Sequence, residues 1–288
     1  MDIASYIIRI ITMIGIFSIL TMSLNIAIGW TGLFNLSHIG LAGIGAYAWT
    51  ILFTRFELPF ILSVLIALLL VAAVSYILSL VTKNIKGDQF DLVTLFFGII
   101  LFTIFLNWKS VTRGSFGIPA IPQPEILKAD FNMMVFSCIL ALGTYYFCKF
   151  LTGSPFGRVM GAVRDDETAA KILGKNTFRL KSKVLVFSGI FAGISGILLA
   201  LVIRFIDPST FYLSDLVFVV SALIIGGLAS LKGSILGVLI LFAVSEPIRF
   251  LPLPDAAIGP LRVIVNSIIL ILIIIYRPQG LKGKIKLH

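Results

Sequence analysis

The chain has 288 residues, of which 59% are hydrophobic and 12% charged, and its mean hydropathy is +1.09. A soluble domain carries about 25% charged residues and about 45–50% apolar ones, so a water-soluble monomer, a disordered chain and a DNA-binding domain are excluded. The net charge of +10 is therefore read against a membrane, and no nucleic-acid partner is expected.

A transmembrane helix needs about 20 mostly apolar residues. Stretches of that kind lie at about 6–29, 33–53, 59–81, 90–106, 131–151, 184–203, 214–231, 233–251 and 259–276, which predicts roughly nine spans within a range of 8–10. Residues 90–106 and 214–231 are short for a full crossing, and either can be a half-helix. The expected fold is an all-α, polytopic helix bundle forming one domain over residues 1–288. Helices are required because hydrocarbon offers no partner to an unpaired backbone group. A β-barrel is excluded, since the apolar runs are continuous rather than alternating. The first segment is too long for a signal peptide, has only Arg9 as a basic flank and lacks a small-x-small cleavage site, so it is read as a retained span.

Charge sets the orientation. Lys83 and Lys86 lie after the third segment, and Lys149, Arg158, Arg164, Lys171, Lys175, Arg179, Lys181 and Lys183 lie in or beside residues 152–183. Lys232 sits in a tight turn, and Arg277, Lys282, Lys284 and Lys286 form the tail, so fifteen of the 23 basic residues fall in these four regions. Nine spans put all four on one side, which the excess of Lys and Arg makes cytoplasmic. The N-terminus then faces outside, although Arg9 pulls the other way. Cys138 and Cys148 share one helix, about 15 Å apart at 1.5 Å per residue, too far for a disulfide.

Two stretches outside the spans are long enough to have a task. The external one, about residues 107–130, holds Arg113-Gly-Ser-Phe-Gly-Ile-Pro119 and prolines at 122 and 124, a composition that suggests a fixed irregular path, with a plain connector as the equal alternative. The cytoplasmic one, about residues 152–183, predicts two short helices. Ser154-Pro155 is a good N-cap and first-turn pair, Asp165, Asp166 and Glu167 favour the start of a second helix, and Gly174 fits a left-handed closing residue. The helices are expected at about 156–164 and 166–173. The apolar residues of the second need cover from lipid headgroups or from a partner protein; three clustered acids weigh against anionic lipid.

The run Gly157-Arg-Val-Met-Gly-Ala-Val-Arg-Asp-Asp-Glu-Thr-Ala-Ala-Lys-Ile-Leu-Gly174 resembles the coupling loop of the permease subunits of branched-chain amino-acid ABC importers, closest to the M type. That loop has an Arg-x-x-Glu-x-Ala-Ala-x-x-x-Gly character, and Arg164, Glu167, Ala169, Ala170 and Gly174 occupy its positions. Leu24-Asn-Ile-Ala-Ile-Gly-Trp-Thr-Gly32 with Leu36-Ser-His-Ile-Gly-Leu-Ala-Gly-Ile-Gly-Ala-Tyr47 is similar to the family's early Asn-, Gly- and His-containing segment. Ile225-Gly-Gly-Leu-Ala-Ser-Leu-Lys-Gly-Ser-Ile-Leu-Gly237 is similar to its late glycine-rich turn. Ser37, Lys232 and Arg113-Gly114 depart from the usual pattern.

The resemblance implies a bacterial inner-membrane subunit that translocates a small neutral or zwitterionic solute, branched-chain amino acids or, in related permeases, urea. It implies partner ATPase subunits docked on residues 157–174, a second related permease, an external solute-binding protein and surrounding membrane lipid. Ala169 and Ala170 would then allow close approach, Arg164 and Glu167 would pair across the interface, and Gly174 would set the exit angle of the helix. The residues themselves agree on one point: no Gly-x-x-x-x-Gly-Lys-Ser/Thr phosphate loop is present, so energy comes from a partner or an ion gradient.

Asn25, Thr31, Asn35, Ser37 and His38 cluster between two apolar runs. Polar groups in hydrocarbon face the protein interior or a cavity, so these five either line a translocation path or satisfy one another between helices. For His38 a packing role is expected; the other histidine is His288, and no metal, cofactor or catalytic residue is expected. Gly189, Gly193 and Gly196, and Gly233 with Gly237, are small-residue faces expected to pack helices within the subunit, or alternatively against another subunit. Asp215 and Glu246 lie toward segment ends, and a midplane carboxylate of the kind that ion-coupled carriers keep is lacking. A stand-alone secondary carrier and a membrane-embedded enzyme are therefore the weaker alternatives.

Overall fold

The computed structural model describes residues 3–85, 87–250, 254–277 and 279–283. Lys86, Lys284, Lys286 and His288 from the sequence reading lie outside them, as does residue 251, where the eighth segment was expected to end.

Long apolar runs become helices in chain order. The first, α1 (Ile3–Asn25), continues into a π-helical turn, Ile26–Trp30, and after a break come α2 (His38–Thr54), α3 (Phe60–Val81) and α4 (Asp88–Asn107). The short α5 (Lys109–Thr112) precedes α6 (Asp130–Gly153), the polar pair α7 (Pro155–Asp165) and α8 (Glu167–Ile172), and α9 (Thr177–Ile203). The chain closes with α10 (Leu213–Gly226), α11 (Leu231–Ser245) and α12 (Asp255–Tyr276). Among the described residues, eight helical stretches are long and apolar enough to cross a membrane, and α2 is a shorter apolar helix of 17 residues. With α2 they match the nine expected segments.

Several boundaries need correction: α9 begins at Thr177 rather than 184, its basic first turns having hidden its start, α10 ends at Gly226 rather than 231, and α12 begins at Asp255 rather than 259. Residues 90–106 are not a half-helix: α4 has 20 residues, because Asp88 and Asp91 form its polar first turn and hide its true length from a hydropathy scan. The second segment begins at His38 rather than 33, since residues 32–35 are extended loop. The segment expected at 214–231 is not a half-helix either: α10 stops at Gly226, but with the turn Pro208–Phe211 before it the stretch Pro208–Gly226 has 19 residues and is one of the eight.

The centre is built where small residues let backbones touch. A Cβ on Gly45 would lie 2.6 Å from the Gly193 Cα, and one on Gly196 would lie 1.9 Å from the Ala42 carbonyl, so α2 and α9 cross at backbone contact. Likewise a Cβ on Gly237 would lie 1.8 Å from the Ala222 carbonyl, which sets α11 against α10. The small-residue faces thus pack helices within the subunit. Around this centre Ile19, Leu41, Trp49, Val71 and Leu201 are fully enclosed.

The two ends of the bundle differ. At one end a two-residue antiparallel pairing of β1 (Ile118–Pro119) with β2 (Phe205–Ile206) fixes the 107–130 stretch to the end of α9. Ile121 N–H donates to the Arg204 carbonyl at 3.1 Å, and the Gln123 amide donates to the Leu201 carbonyl at 2.7 Å. That stretch is a fixed path, as its Gly and Pro content suggests. At the opposite end α7 lies against the π-helical turn that follows α1 and α8 lies against α9, Lys83 stands over the Phe178 ring at 5.2 Å, and the tail returns to α10 through Leu281 N–H and the Ile225 carbonyl at 2.9 Å. The described members of the basic set therefore gather at one end. Cys138 and Cys148 are both free thiols.

Candidate functional site

The polar hairpin forms as its capping residues dictate. Ser154 caps α7 by accepting the Phe156 N–H, with Pro155 in the first turn. Asp166 breaks the helix in extended conformation and its carboxylate accepts the N–H groups of Thr168 and Ala169 at 2.8 and 3.0 Å, starting α8. Gly174, at φ +76, reverses the chain after α8. Both expected short helices are present, within one residue of the expected bounds.

One face of the hairpin is buried on the bundle. Met160, Val163 and Ala170 pack into a second apolar cluster with Met22, Ile26, Leu33 and Leu180. The other face carries Ala169, Gly174 and two large apolar side chains, Ile172 at 82% and Leu173 at 75% exposure. Ala169 and Ala170 therefore do different things: only Ala169 is at the open surface.

Arg164 and Glu167, expected to pair across an interface, are both engaged within the chain. Arg164 Nη1 donates to the Gly29 carbonyl at 3.0 Å and Nη2 meets Asp165 Oδ1 at 2.8 Å. Glu167 Oε2 meets Lys181 Nζ at 2.5 Å, while Oε1 meets Lys171 Nζ at 3.0 Å and accepts the Thr177 hydroxyl at 3.0 Å. Burial alone would raise the Glu167 carboxyl, but the bonds from Lys181, Lys171 and Thr177 outweigh it and draw its pKa down to about 2. Both side chains fasten the hairpin, Arg164 to the π-helical turn after α1 and Glu167 to the start of α9.

The second set of predicted residues lies directly beside the first. Thr31, Arg164, Glu167 and Lys181 line one cleft of about 280 Å³. Asn25, Thr31, Asn35, Ser37 and His38 are all buried, none more than 2% exposed. The Asn25 amide spans to the α10–α11 turn: Nδ2 donates to Ser234 Oγ at 2.7 Å and to the Ser230 carbonyl at 3.2 Å, and Oδ1 accepts the Ala229 N–H at 3.0 Å. Thr31 donates to the Ile26 carbonyl at 3.2 Å, and Asn35 Oδ1 accepts the Ser37 hydroxyl at 2.6 Å. The Asn35 amide nitrogen is buried without a partner. His38 sits between α1, α2 and α9, with Nε2 3.0 Å from Ser23 Oγ and 3.1 Å from the Leu20 carbonyl, and Nδ1 3.4 Å from Ser188 Oγ. Asn25 and His38 thus bond to other helices, whereas Thr31, Asn35 and Ser37 bond within the 26–37 segment itself.

Ser23, Ser188, Ser230, Ser234, Thr94 and Lys181 complete these networks and were not singled out in the sequence. Serine and threonine are common in membrane helices, so only Lys181, a charge fourteen residues past Glu167, carried a readable signal.

Apolar helices long enough to cross a membrane, closed by a capped polar hairpin at one end, define a polytopic membrane helix bundle. The family described as the branched-chain amino acid transport system / permease component matches residues 6–275, and the chain belongs to it; it is a permease component, not an enzyme. Among its relatives, the high-affinity branched-chain amino acid transport system permease protein LivM of Escherichia coli K12 is 28% identical, covering 94% of this chain and 69% of that protein. The LivH permease protein of Salmonella typhimurium is 27% identical over 63% of this chain and 61% of its own length. The L-arabinose transport system permease protein AraH of Escherichia coli K12 is 30% identical over 51% of this chain and 44% of that protein. Among solved structures, PsaBC from Streptococcus pneumoniae in complex with Fab aligns over 94% of this chain and 91% of that one at 16% identity and a TM-score of 0.46.

Proposed function

We propose that this chain is a permease subunit of an ATP-driven importer for branched-chain amino acids in a bacterial inner membrane. In this reading the α7–α8 hairpin is the docking element for a cytoplasmic ATPase, a second related permease completes the membrane unit, and an external binding protein delivers solute at the β1–β2 end. The observation that carries it is the two-sided hairpin. It is bonded rigidly to the bundle through Arg164 and Glu167, yet leaves Ala169, Ile172 and Leu173 uncovered. Large apolar side chains uncovered at the polar end of a membrane protein mark a contact with a protein or a lipid surface, and the adjacent Asp165 and Asp166 weigh against anionic lipid.

The joint at residues 25–38 supports a mechanical role. A push on the hairpin reaches the Gly29 carbonyl through Arg164, and Asn25, one turn earlier, is bonded to the α10–α11 turn. The π-helical turn between them is a wound segment of the kind found at functional sites. Asn25, Thr31, Asn35, Ser37 and His38 are thus assigned to the joint that moves the helices, with α10 and α11 as the elements moved.

The test is purification of the tagged chain from its host in mild detergent with mass identification of what remains bound. An ATPase and a second permease are expected. An Ala169→Asp/Leu173→Glu variant is expected to lose the ATPase and keep the permease. Retention of the ATPase by that variant overturns the docking assignment. ATP-dependent uptake of leucine, isoleucine and valine by the reconstituted complex, compared with urea, decides the solute.

A further inference from the structure

In the half of the bundle away from the hairpin, a cavity of about 400 Å³ opens between α10, α11 and α12. Ligand sites are typically about 300–1,000 Å³, so this one has room for a small solute. One wall is a cluster of Phe17, Phe218 and Phe242, whose ring centroids lie 5.1–5.6 Å apart in edge-on arrangements. Asp215, Glu246 and Arg262 stand around it.

The charges are unevenly used. Glu246 is occupied, with Oε2 accepting the Tyr6 hydroxyl at 2.6 Å and Arg262 Nη2 at 3.3 Å. Arg262 still has its Nε buried without a partner. Asp215 makes no ion pair and no side-chain hydrogen bond among the described residues, although it stands inside a membrane-spanning stretch. A carboxylate kept unpaired at such a position is costly, and intramembrane acids are retained for what they bind.

Asp215 and Phe17 also line a second cavity of about 150 Å³ between α1, α2 and α9, whose walls include Ile16, Leu20, Ile39 and Leu199. An apolar cavity of about that size accepts a benzene-sized molecule, so it accepts a butyl side chain. Asp215 therefore sits where a space with polar groups meets a dry apolar one.

We propose that this junction is a solute site, with Asp215 receiving an α-ammonium group, the free edge of Arg262 receiving an α-carboxylate, and the apolar cavity beside Phe17 receiving a branched aliphatic side chain. The proposal rests on the importer reading above and adds the residues that recognise the solute. Urea offers neither a cation for Asp215 nor an apolar tail, so the same groups select against it.

The test is saturation-transfer NMR on the full transporter complex in lipid nanodiscs, with leucine as the probe and no binding protein added. Saturation of the leucine methyls is expected, falling at least fivefold in Asp215→Asn and Arg262→Gln and restored toward wild type in Asp215→Glu. A deaminated analogue, 4-methylpentanoate, is expected to show little saturation in wild type and no further loss in Asp215→Asn. Absence of methyl saturation in wild type, or equal saturation in Asp215→Asn, overturns the site. ATP-driven leucine uptake by the same wild-type complex reconstituted in proteoliposomes, with binding protein supplied, separates the two levels. Uptake without methyl saturation removes the pocket and leaves the importer; methyl saturation without uptake leaves the pocket and removes the importer.

Discussion

The Asn25 side chain accepts the backbone N–H of Ala229, 204 positions away, at 3.0 Å. Ala229 holds a left-handed conformation at φ +56, which costs a non-glycine residue about 1–2 kcal/mol, so the bond secures a strained turn. The same amide donates to Ser230 and Ser234. Replacing Asn25 by Ala orphans a buried N–H and removes the donor to both serines, and is expected to destabilise the protein by about 2–3 kcal/mol. Asn25→Asp keeps an acceptor for Ala229 but sets a carboxylate beside the Ser230 carbonyl, and is expected to be at least as harmful. Unfolding midpoints of the detergent-purified variants check both, and an unshifted Asn25→Ala midpoint refutes the role.

That contact also marks the limit of what the sequence discloses. The spans are legible because about twenty apolar residues in a row have one solution in a membrane. The hairpin is legible because its signals are local: Ser154-Pro155, Asp166 and Gly174 act within a few residues of themselves. Asn25 is visible as a polar residue in an apolar run, but its partner turn at 227–230 is brought up by the packing of α10 and α11, which no local pattern encodes. The resemblance assigns Glu167 to an interface, whereas its partner Lys181 lies on α9, beyond the reach of a local pattern. Asp215 looked like a helix-end residue since α10 starts only two positions earlier, whereas its significance lies in the two cavities that meet there.

Two glycines separate packing from permissiveness. A Cβ on Gly196 would meet the Ala42 carbonyl at 1.9 Å, backbone that cannot swing aside, while Gly143 in α6 has nothing within 4 Å. Gly196→Ala is therefore expected to force α2 and α9 apart and sharply reduce the yield of folded protein. Gly143→Ala is expected to be neutral or to stabilise by about 0.5–1 kcal/mol through lower backbone freedom in the unfolded chain. Size-exclusion profiles and melting curves of the two variants, side by side, decide the matter.

Arg164 joins the hairpin to the π-helical turn after α1 through a bond to the Gly29 carbonyl. Arg164→Met keeps much of the apolar stem but removes that bond and the contact to Asp165. Under the importer reading the ATPase remains bound, because the exposed face of α8 is untouched, while transmission is impaired. The expected outcome is retained ATP hydrolysis with solute uptake per ATP reduced about tenfold in proteoliposomes. Parallel loss of hydrolysis and uptake, in constant ratio, would place Arg164 in docking rather than transmission.

Glu167 gives the hairpin a pH dependence whose sign follows from its environment. Its carboxyl is drawn from 4.5 down to about 2, because its bonds to Lys181, Lys171 and Thr177 outweigh the opposing effect of burial. A depressed folded-state pKa contributes stability that is fully present above pH 4.5 and is lost as pH falls toward about 2. Amide hydrogen exchange over residues 168–175, corrected for the intrinsic pH effect, is expected to show wild-type protection declining across that window. Glu167→Gln, which leaves the Asp166 cap of α8 in place, is the control that isolates the ion pairs. That variant keeps the shape and the cap; it is expected to be less protected at pH 6 and to lose less on acidification. A wild type and a Glu167→Gln variant with the same protection at pH 6 would show that Lys171 and Lys181 do not hold the hairpin, and would leave Arg164 as its attachment.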